Sequence, residues 1–219
     1  MDEVLAVFGA GSLGKEILDI AVRVNKLQHR WQDIVFADNY PKSCRFYGTR
    51  VYTLPDLITE YPHTQYVIAN GEPAARREIY EQLAACHCEL VSLTDPTAVI
   101  SPTAELGKGV IVTPFSSVSS DVCVEDNVLI QSYVRVGHDI RIGRHSVVSA
   151  NTAVGGSARI GQACFIGMGA VIREDVVIGE KAVIGMGSVV YRNVESEATV
   201  AGSPARRTMG SKDGKVFHK

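Results

Sequence analysis

A histidine followed directly by an aspartate, His138-Asp139, is the pair in this 219-residue sequence best suited to proton transfer. A neutral imidazole is the natural general base near pH 7, and an adjacent carboxylate can fix its tautomer and stabilise the imidazolium. Gly156 follows 18 residues later. A residue without a side chain beside such a base leaves room for a substrate, and its N–H can stabilise a developing oxyanion. These residues predict acid–base chemistry that needs no metal and no covalent intermediate.

A second group of residues is suited to phosphate binding. The apolar run Val4 to Phe8 leads directly into Gly-Ala-Gly-Ser-Leu-Gly, residues 9–14, and then into the amphipathic segment KEILDIAVRVN. Strand, glycine-rich turn and helix in this order present free N–H groups to a phosphate. Asp38-Asn39 ends the next predicted strand, where an acid can bind ribose hydroxyls. The glycines could instead only pack the helix on the strand.

The length of the first domain limits its ligand. Further strands are predicted at Tyr66 to Ala69 and Glu89 to Leu93, with a helix between them through Arg76, Arg77 and Leu83. About 95 residues precede the repeat described next, whereas a full dinucleotide-binding domain needs roughly 150. The sequence therefore predicts an α/β, Rossmann-like half domain over residues 1–95, with a mononucleotide or nucleotide-sugar as its ligand.

Residues 96–195 carry a repeat of six. Every sixth residue from Ile100 to Val190 is aliphatic. Glycine often comes directly after this aliphatic residue, and a small or β-branched residue usually stands four places after it. This period fits neither a helix nor an alternating strand, and it is typical of a parallel β-helix. The aliphatic residues are expected to fill the interior and the glycines to allow the corners. Because His138 lies two residues after the inward Val136, its side chain is predicted to point outward.

Composition excludes several classes of protein. The formal charge of −2 gives no reason to expect nucleic acid or an anionic membrane as a partner, and no apolar run approaches the roughly 20 residues of a membrane span. The start MDEVLAVFGAG is not expected to be a signal peptide. Five cysteines without metal-ligand spacing are consistent with reduced thiols and predict no metal site. A cytoplasmic location is expected.

The sequence resembles the hexapeptide-repeat bacterial sugar acetyltransferases, the branch of sialic acid O-acetyltransferases and nucleotide-aminosugar N-acetyltransferases. The resemblance rests on VFGAGSLGKEILDI, FADN, VGHDIRIG and VAGSPARR, and it covers almost the whole chain. GAGSLG, TPFSSVS and QSYVRVGHD are most similar to the dTDP-4-amino-4,6-dideoxyhexose N-acetyltransferases. The resemblance implies that the β-helix is left-handed, that the protein is a homotrimer and that acetyl-CoA lies between neighbouring solenoids.

The resemblance also implies roles for individual residues. His138 matches the catalytic histidine and Asp139 its acidic partner. The implied acetyl-CoA contacts are Gly156, His145, Met168, Gly185, Met186, Pro204 and Arg206, the last two in a closing segment, 196–219, whose tail SKDGKVFHK is expected to be disordered. The implied nucleotide-sugar contacts are Ser12, Leu13, Gly14, Asp38 and Asn39. Two positions depart from the family, since Val147 and Asp95 stand where many relatives have histidine.

The activity implied is acetyl-CoA-dependent N-acetylation of a UDP- or dTDP-linked 4-amino-4,6-dideoxyhexose. O-acetylation of sialic acid or a surface polysaccharide is an alternative, because a hydroxyl acceptor can use the same base. A non-catalytic trimer that binds a nucleotide-sugar is another. A metal-dependent hydratase of the γ-carbonic anhydrase kind needs three histidines, whereas the predicted solenoid contains two, His138 and His145.

Overall fold

The computed structural model describes residues 3–208 and 216, in two domains. The N-terminal domain is a six-stranded sheet of order β3-β4-β2-β1-β5-β6 with three helices. Its pairs are parallel except the β3–β4 hairpin. Its elements are β1 (Val4–Phe8), α1 (Ser12–Gln28), β2 (Asp33–Ala37), β3 (Arg45–Phe46), β4 (Thr49–Tyr52), α2 (Leu54–Glu60), β5 (Gln65–Ile68), α3 (Pro73–Ala85) and β6 (Glu89–Leu90).

The predicted α/β architecture is confirmed, with two differences. The single strand predicted over Glu89 to Leu93 is wrong, because β6 ends at Leu90 and a new strand, Leu93–Thr94, begins the solenoid. The β3–β4 hairpin and α2 were not predicted. The signal for α2 was present, since Thr53 caps the helix by accepting a hydrogen bond from the Asp56 N–H at 3.4 Å.

The second domain is a parallel β-helix whose coils have three short strands each, as the six-residue period predicts. The strands stack into three faces. The first face contains β7 (Leu93–Thr94), β10 (Ile111–Val112), β13 (Leu129–Ile130), β16 (Val147–Val148), β19 (Phe165–Ile166), β22 (Val183–Ile184), β24 (Thr199–Ala201) and the antiparallel β25 (Arg206–Thr208). The second face contains β8 (Val99–Ile100), β11 (Ser117–Val118), β14 (Arg135–Val136), β17 (Ala153–Val154), β20 (Val171–Ile172) and β23 (Val189–Val190). The third face contains β9 (Glu105–Leu106), β12 (Cys123–Val124), β15 (Arg141–Ile142), β18 (Arg159–Ile160) and β21 (Val177–Ile178).

The solenoid interior is the predicted stack of aliphatic and small residues, in one continuous core from Val110 to Val200. The expected role of the glycines is wrong. The left-handed backbone at the corners belongs to residues two places after the glycine position, such as Asp139 with φ 58°. Gly143 is needed for a different reason, because a Cβ there would lie 2.5 Å from Gln162 N in the next coil. Close stacking of coils, and not corner conformation, selects this glycine.

Replacing Gly143 with alanine should therefore destabilise the solenoid. The added methyl group meets backbone that cannot rotate away, so we expect a loss of about 2 kcal/mol or more from overpacking. The control is Gly11→Ala, because Gly11 has φ −132° and a Cβ there meets nothing within 4 Å. Thermal unfolding monitored by circular dichroism should show a clearly lower midpoint for the first variant only. Equal midpoints would contradict the stacking role.

The N-terminal domain packs on the first face of the solenoid, which we call the covered face. The outward residues Ile111, Leu129 and Val147 of this face are buried in a core shared with α1 and β1. Outward residues of the second face are open, with Val99 68% and Val171 44% exposed. Since each edge of a three-sided prism is opposite a face, the edge between the second and third faces is the one farthest from the N-terminal domain.

The closing segment and the tail are only partly described. Arg206–Thr208 pairs antiparallel with Thr199–Ala201 and ends the solenoid. The tail predicted to be disordered lies outside the described residues apart from Val216, whose N–H donates to Glu72 Oε2 at 2.9 Å. The domain boundaries at residues 95 and 195 remain predictions.

Candidate active site

His138 and Asp139 form a hydrogen-bonded pair on the edge between the second and third faces, the His138 edge. His138 Nδ1 lies 2.7 Å from Asp139 Oδ2. Because a carboxylate can only accept, the imidazole proton is on Nδ1, and the lone pair of Nε2 is left available for a substrate proton. The imidazole is 65% exposed in the single chain. Asp139 itself has the left-handed backbone of a corner, with φ 58°.

Gly156 lies directly under the His138 ring, one coil further along the same edge. A Cβ at Gly156 would lie 2.6 Å from His138 Cε1 and 2.7 Å from Nε2. We expected the missing side chain to leave room for substrate, and this is wrong, because the imidazole itself occupies that space. Among the residues that the structure describes, none accepts a hydrogen bond from the Gly156 N–H. That N–H is therefore available to an oxyanion beside the histidine.

The other residues expected to bind the coenzyme are not brought to His138 within one chain. Met168, Gly185 and Met186 lie on the edge between the covered and second faces, the Met168 edge. Met168 is 51% and Met186 78% exposed, with the stacked rings of Phe115 and Tyr133 on the same edge. Pro204 and Arg206 line a cavity of about 660 Å³ at the end of the solenoid, together with Arg192. Only a second copy of the chain could bring the Met168 edge against the His138 edge.

His145 does not lie in the predicted coenzyme groove, and that expectation is wrong. It is on the third edge, between the third and covered faces, and is 7% exposed. Its Nδ1 is 3.0 Å from Asn127 Nδ2, and its ring packs edge-on against Tyr80 of α3. Burial, with the nearby Arg76 cation, lowers the pKa of His145 to about 4, so the ring is neutral at pH 7. Val147 is likewise buried under the N-terminal domain, out of reach of a ligand.

The glycine-rich turn lies at the carboxyl ends of β1, β2 and β5, and we call the site between the loops that follow these strands the crevice. Gly9 has φ 121°, and a Cβ there would lie 2.7 Å from Ala69 O, so the turn passes close to the end of β5. Gly14 packs its Cα on the Gly9 carbonyl and on Phe36. The packing explanation is thus correct for these two glycines. Gly11 has open space around it and caps α1 without a side chain, so no side chain of the cap accepts a hydrogen bond from the first N–H groups of the helix.

Asp38 contacts this turn and Asn39 contacts α3, while their role in binding a ligand stays a prediction. Asp38 Oδ2 accepts a hydrogen bond from the Ala10 N–H at 3.0 Å. Asn39 pairs its side-chain amide with that of Gln82 in α3, at 2.9 and 3.0 Å. The two residues therefore form one wall of the crevice beside Ser12 and Leu13, whereas Gly14, also expected to contact the ligand, is buried against Gly9 and Phe36.

The opposite wall was not predicted. Asn70, Gly71 and Glu72 follow β5, which is the neighbour of β1 on the side away from β2. The chain order changes direction between β1 and β5, and such a switch point is where α/β sheets bind ligands. Their position after a buried strand was the available signal, but the strand order needed to interpret it is a tertiary property.

Other chemistries find little support in the described part of the chain. No group of three or more His, Cys, Asp or Glu residues there is arranged to hold a metal ion. Burial raises the pKa of Cys164 to about 12, and its thiol points to the Gly179 carbonyl at 3.0 Å, so it is no nucleophile. None of the described helices has the length and apolar character needed to cross a bilayer.

Two protein families match the chain, one in each domain. The family described as PglD N-terminal domain matches residues 4–83, and bacterial transferase hexapeptide (six repeats) matches residues 157–192. No curated protein sequence matches significantly.

Solved structures match over nearly the whole chain. The acetyltransferase domain of PglB from Neisseria gonorrhoeae FA1090, in complex with acetyl coenzyme A, is 28% identical with a TM-score of 0.88, covering 95% of this chain and 100% of that one. A perosamine N-acetyltransferase variant from Caulobacter crescentus, with CoA and GDP-perosamine, is 23% identical with a TM-score of 0.87, covering 96% and 98%. WeeI from Acinetobacter baumannii AYE is 23% identical with a TM-score of 0.68, covering 94% and 100%. The last two likenesses concern the fold alone.

Proposed function

We propose that this chain, whose domains match the PglD N-terminal domain and bacterial transferase hexapeptide families, transfers the acetyl group of acetyl-CoA to the amine of a nucleotide-linked 4-amino-4,6-dideoxyhexose. The observation that carries this proposal is the His138–Asp139 pair, 2.7 Å apart and stacked over Gly156. The crevice between Ser12 and Asn70 holds the nucleotide. A cytoplasmic location is part of the proposal.

The proposed reaction is direct transfer within a ternary complex. The unprotonated sugar amine attacks the thioester carbonyl, forming the N–C bond, and His138 Nε2 takes the amine proton. The Asp139 carboxylate accepts the hydrogen bond from His138 Nδ1–H and stabilises the imidazolium, while the Gly156 N–H donates a hydrogen bond to the oxyanion. The C–S bond then breaks, and the imidazolium returns its proton to the departing thiolate. No metal takes part.

We further propose that the active protein is a homotrimer whose sites use two chains each. The N-terminal domain covers the face opposite the His138 edge. Glu72 of the crevice wall lines a cavity of about 200 Å³ with Ala163 and Lys181, on the edge between the third and covered faces. A chain therefore cannot present its own acceptor to its own His138. In a closed ring of copies, the His138 edge of one chain instead meets a neighbouring chain, and the acceptor comes from the crevice of another chain.

The alternative functions fit the site less well. A three-histidine metal hydratase lacks ligands, because His145 is buried and hydrogen-bonded to Asn127. A non-catalytic binding module gives no reason for an exposed imidazole oriented by a carboxylate. O-acetylation of a sugar hydroxyl would use the same catalytic groups, so only an experiment can distinguish it from N-acetylation.

The direct test of this proposal measures thiol release from acetyl-CoA. UDP-, dTDP- and GDP-linked 4-amino-4,6-dideoxyhexoses are offered in parallel with free sialic acid, and one reaction contains no acceptor. We expect acceptor-dependent release with at least one nucleotide aminosugar, together with the N-acetylated product by mass spectrometry. Release with sialic acid alone would instead support O-acetylation. No release above the acceptor-free rate with any of these acceptors would contradict the proposal.

A further inference from the structure

Arg76, in the first turns of α3, is a cation that the fold buries completely. Its exposed fraction is 0%. All of its hydrogen-bond acceptors in the described residues are neutral, being two main-chain carbonyls in the N-terminal domain and the carbonyl and amide oxygens of Asn127 in the solenoid. Burial lowers the pKa of Arg76 to about 9, so the guanidinium still carries its charge at pH 7. Burying a cation without an anion is costly, so we infer that the planar set of N–H donors on the Arg76 guanidinium is retained because it fixes a specific arrangement of its acceptors.

The bonds of Arg76 join the crevice to the solenoid. Nη1 donates to Ile68 O at 2.6 Å and to Asn70 O at 3.0 Å, at the point where β5 ends and the unpredicted crevice wall begins. Nη2 donates to Asn127 Oδ1 at 2.6 Å and to Asn127 O at 2.9 Å, at a corner of the β-helix. One rigid planar group thus holds the Asn70 segment against the scaffold.

The solenoid side of this contact is itself fixed from several directions. Asn127 Nδ2 donates to the Arg76 main-chain carbonyl at 3.0 Å and lies 3.0 Å from His145 Nδ1. Since an amide NH₂ can only donate, His145 accepts at Nδ1, in agreement with its neutral ring. Tyr80 OH, one turn after Arg76, donates to Asp126 Oδ2 at 3.2 Å. Asn127 therefore has little freedom to follow a displaced α3.

We propose that Arg76 is a positioning residue for the acceptor: it locks the crevice wall Asn70–Gly71–Glu72 to the solenoid corner at Asn127. The inference rests on the proposed function for its consequence, because the wall is taken to bind the nucleotide-sugar. Arg76 touches neither substrate nor the reacting atoms. Its loss should loosen the acceptor site while leaving the His138 edge and the coenzyme site unchanged.

The kinetic test compares Arg76→Lys and Arg76→Met with Arg30→Met, whose side chain is exposed beside Trp31 near the far end of α1. We expect the KM for the nucleotide aminosugar to rise about tenfold or more in Arg76→Lys, because one ammonium cannot reach both domains. The KM for acetyl-CoA and kcat at saturating acceptor should change less than about threefold. A parallel rise in both KM values, or an unchanged acceptor KM in the folded lysine variant, would overturn the proposal. If Arg76→Met does not fold, Arg76→Lys alone decides.

A second measurement does not depend on acetyl transfer. Amide hydrogen exchange is followed in peptides covering residues 69–72 and, as a reference, residues 134–142 of the solenoid. Arg76→Lys should accelerate exchange in the first peptide about tenfold and leave the second unchanged. Unchanged exchange in both peptides would overturn the lock itself. Faster exchange in a protein that acetylates no aminosugar would confirm the lock and refute the proposed function, so the two failures are distinguishable.

Discussion

Replacing His138 with alanine is expected to lower kcat by about 10²–10⁴-fold, the usual contribution of a general base. The ring is exposed, and its polar contact is with Asp139, so its removal should leave the fold unchanged. Turnover is measured by thiol release at saturating concentrations of both substrates. The KM for acetyl-CoA should change little, because the loss is in the proton transfer and not in binding.

The matched control for this prediction is His63→Ala, which removes another exposed histidine, in the N-terminal domain. It should retain wild-type turnover. Asp139→Asn should give a smaller loss than His138→Ala, since asparagine tolerates the left-handed corner but carries no charge to stabilise the imidazolium. A His138→Ala protein with turnover within about threefold of wild type would remove this residue from the mechanism.

The repeat predicted the solenoid because a six-residue period has one structural solution, and each coil contacts only its neighbours. The signals for the first strand, the glycine turn and α1 also lie in neighbouring residues, and these elements were predicted correctly. The role of the glycines was mistaken because corner strain and coil stacking select the same residue type. At Gly143, only the position of the next coil distinguishes the stacking explanation from the corner explanation.

The candidate site was predictable only where its residues share one edge of the solenoid. His138, Asp139 and Gly156 meet because neighbours along an edge lie about 18 residues apart. His145 was misplaced because a shift of one hexad moves a residue to another edge, here one that the N-terminal domain covers. Arg76 and the Asn70 wall depend on how the two domains pack, which no local pattern encodes.

Two individually inactive variants should restore activity when they assemble together. His138→Ala lacks the base. Gly11→Trp fills the open space of the acceptor crevice with an indole ring, and the extended backbone at Gly11 tolerates a side chain. If each site takes His138 from one chain and the crevice from the next, a random mixture contains intact pairs at about a quarter of its sites. If each chain served its own acceptor, the mixture would contain no intact site.

The measurement that tests this account most directly is therefore turnover by mixed trimers. The two variants are co-expressed with different affinity tags, mixed assemblies are isolated through both tags, and thiol release is measured with the aminosugar that wild-type protein acetylates. A ring of three that contains both variants has one intact site in three, so the account predicts roughly a third of the wild-type rate, against background for either variant alone. Background activity in mixed assemblies would contradict it, provided that each variant also restores activity when paired with wild-type chains.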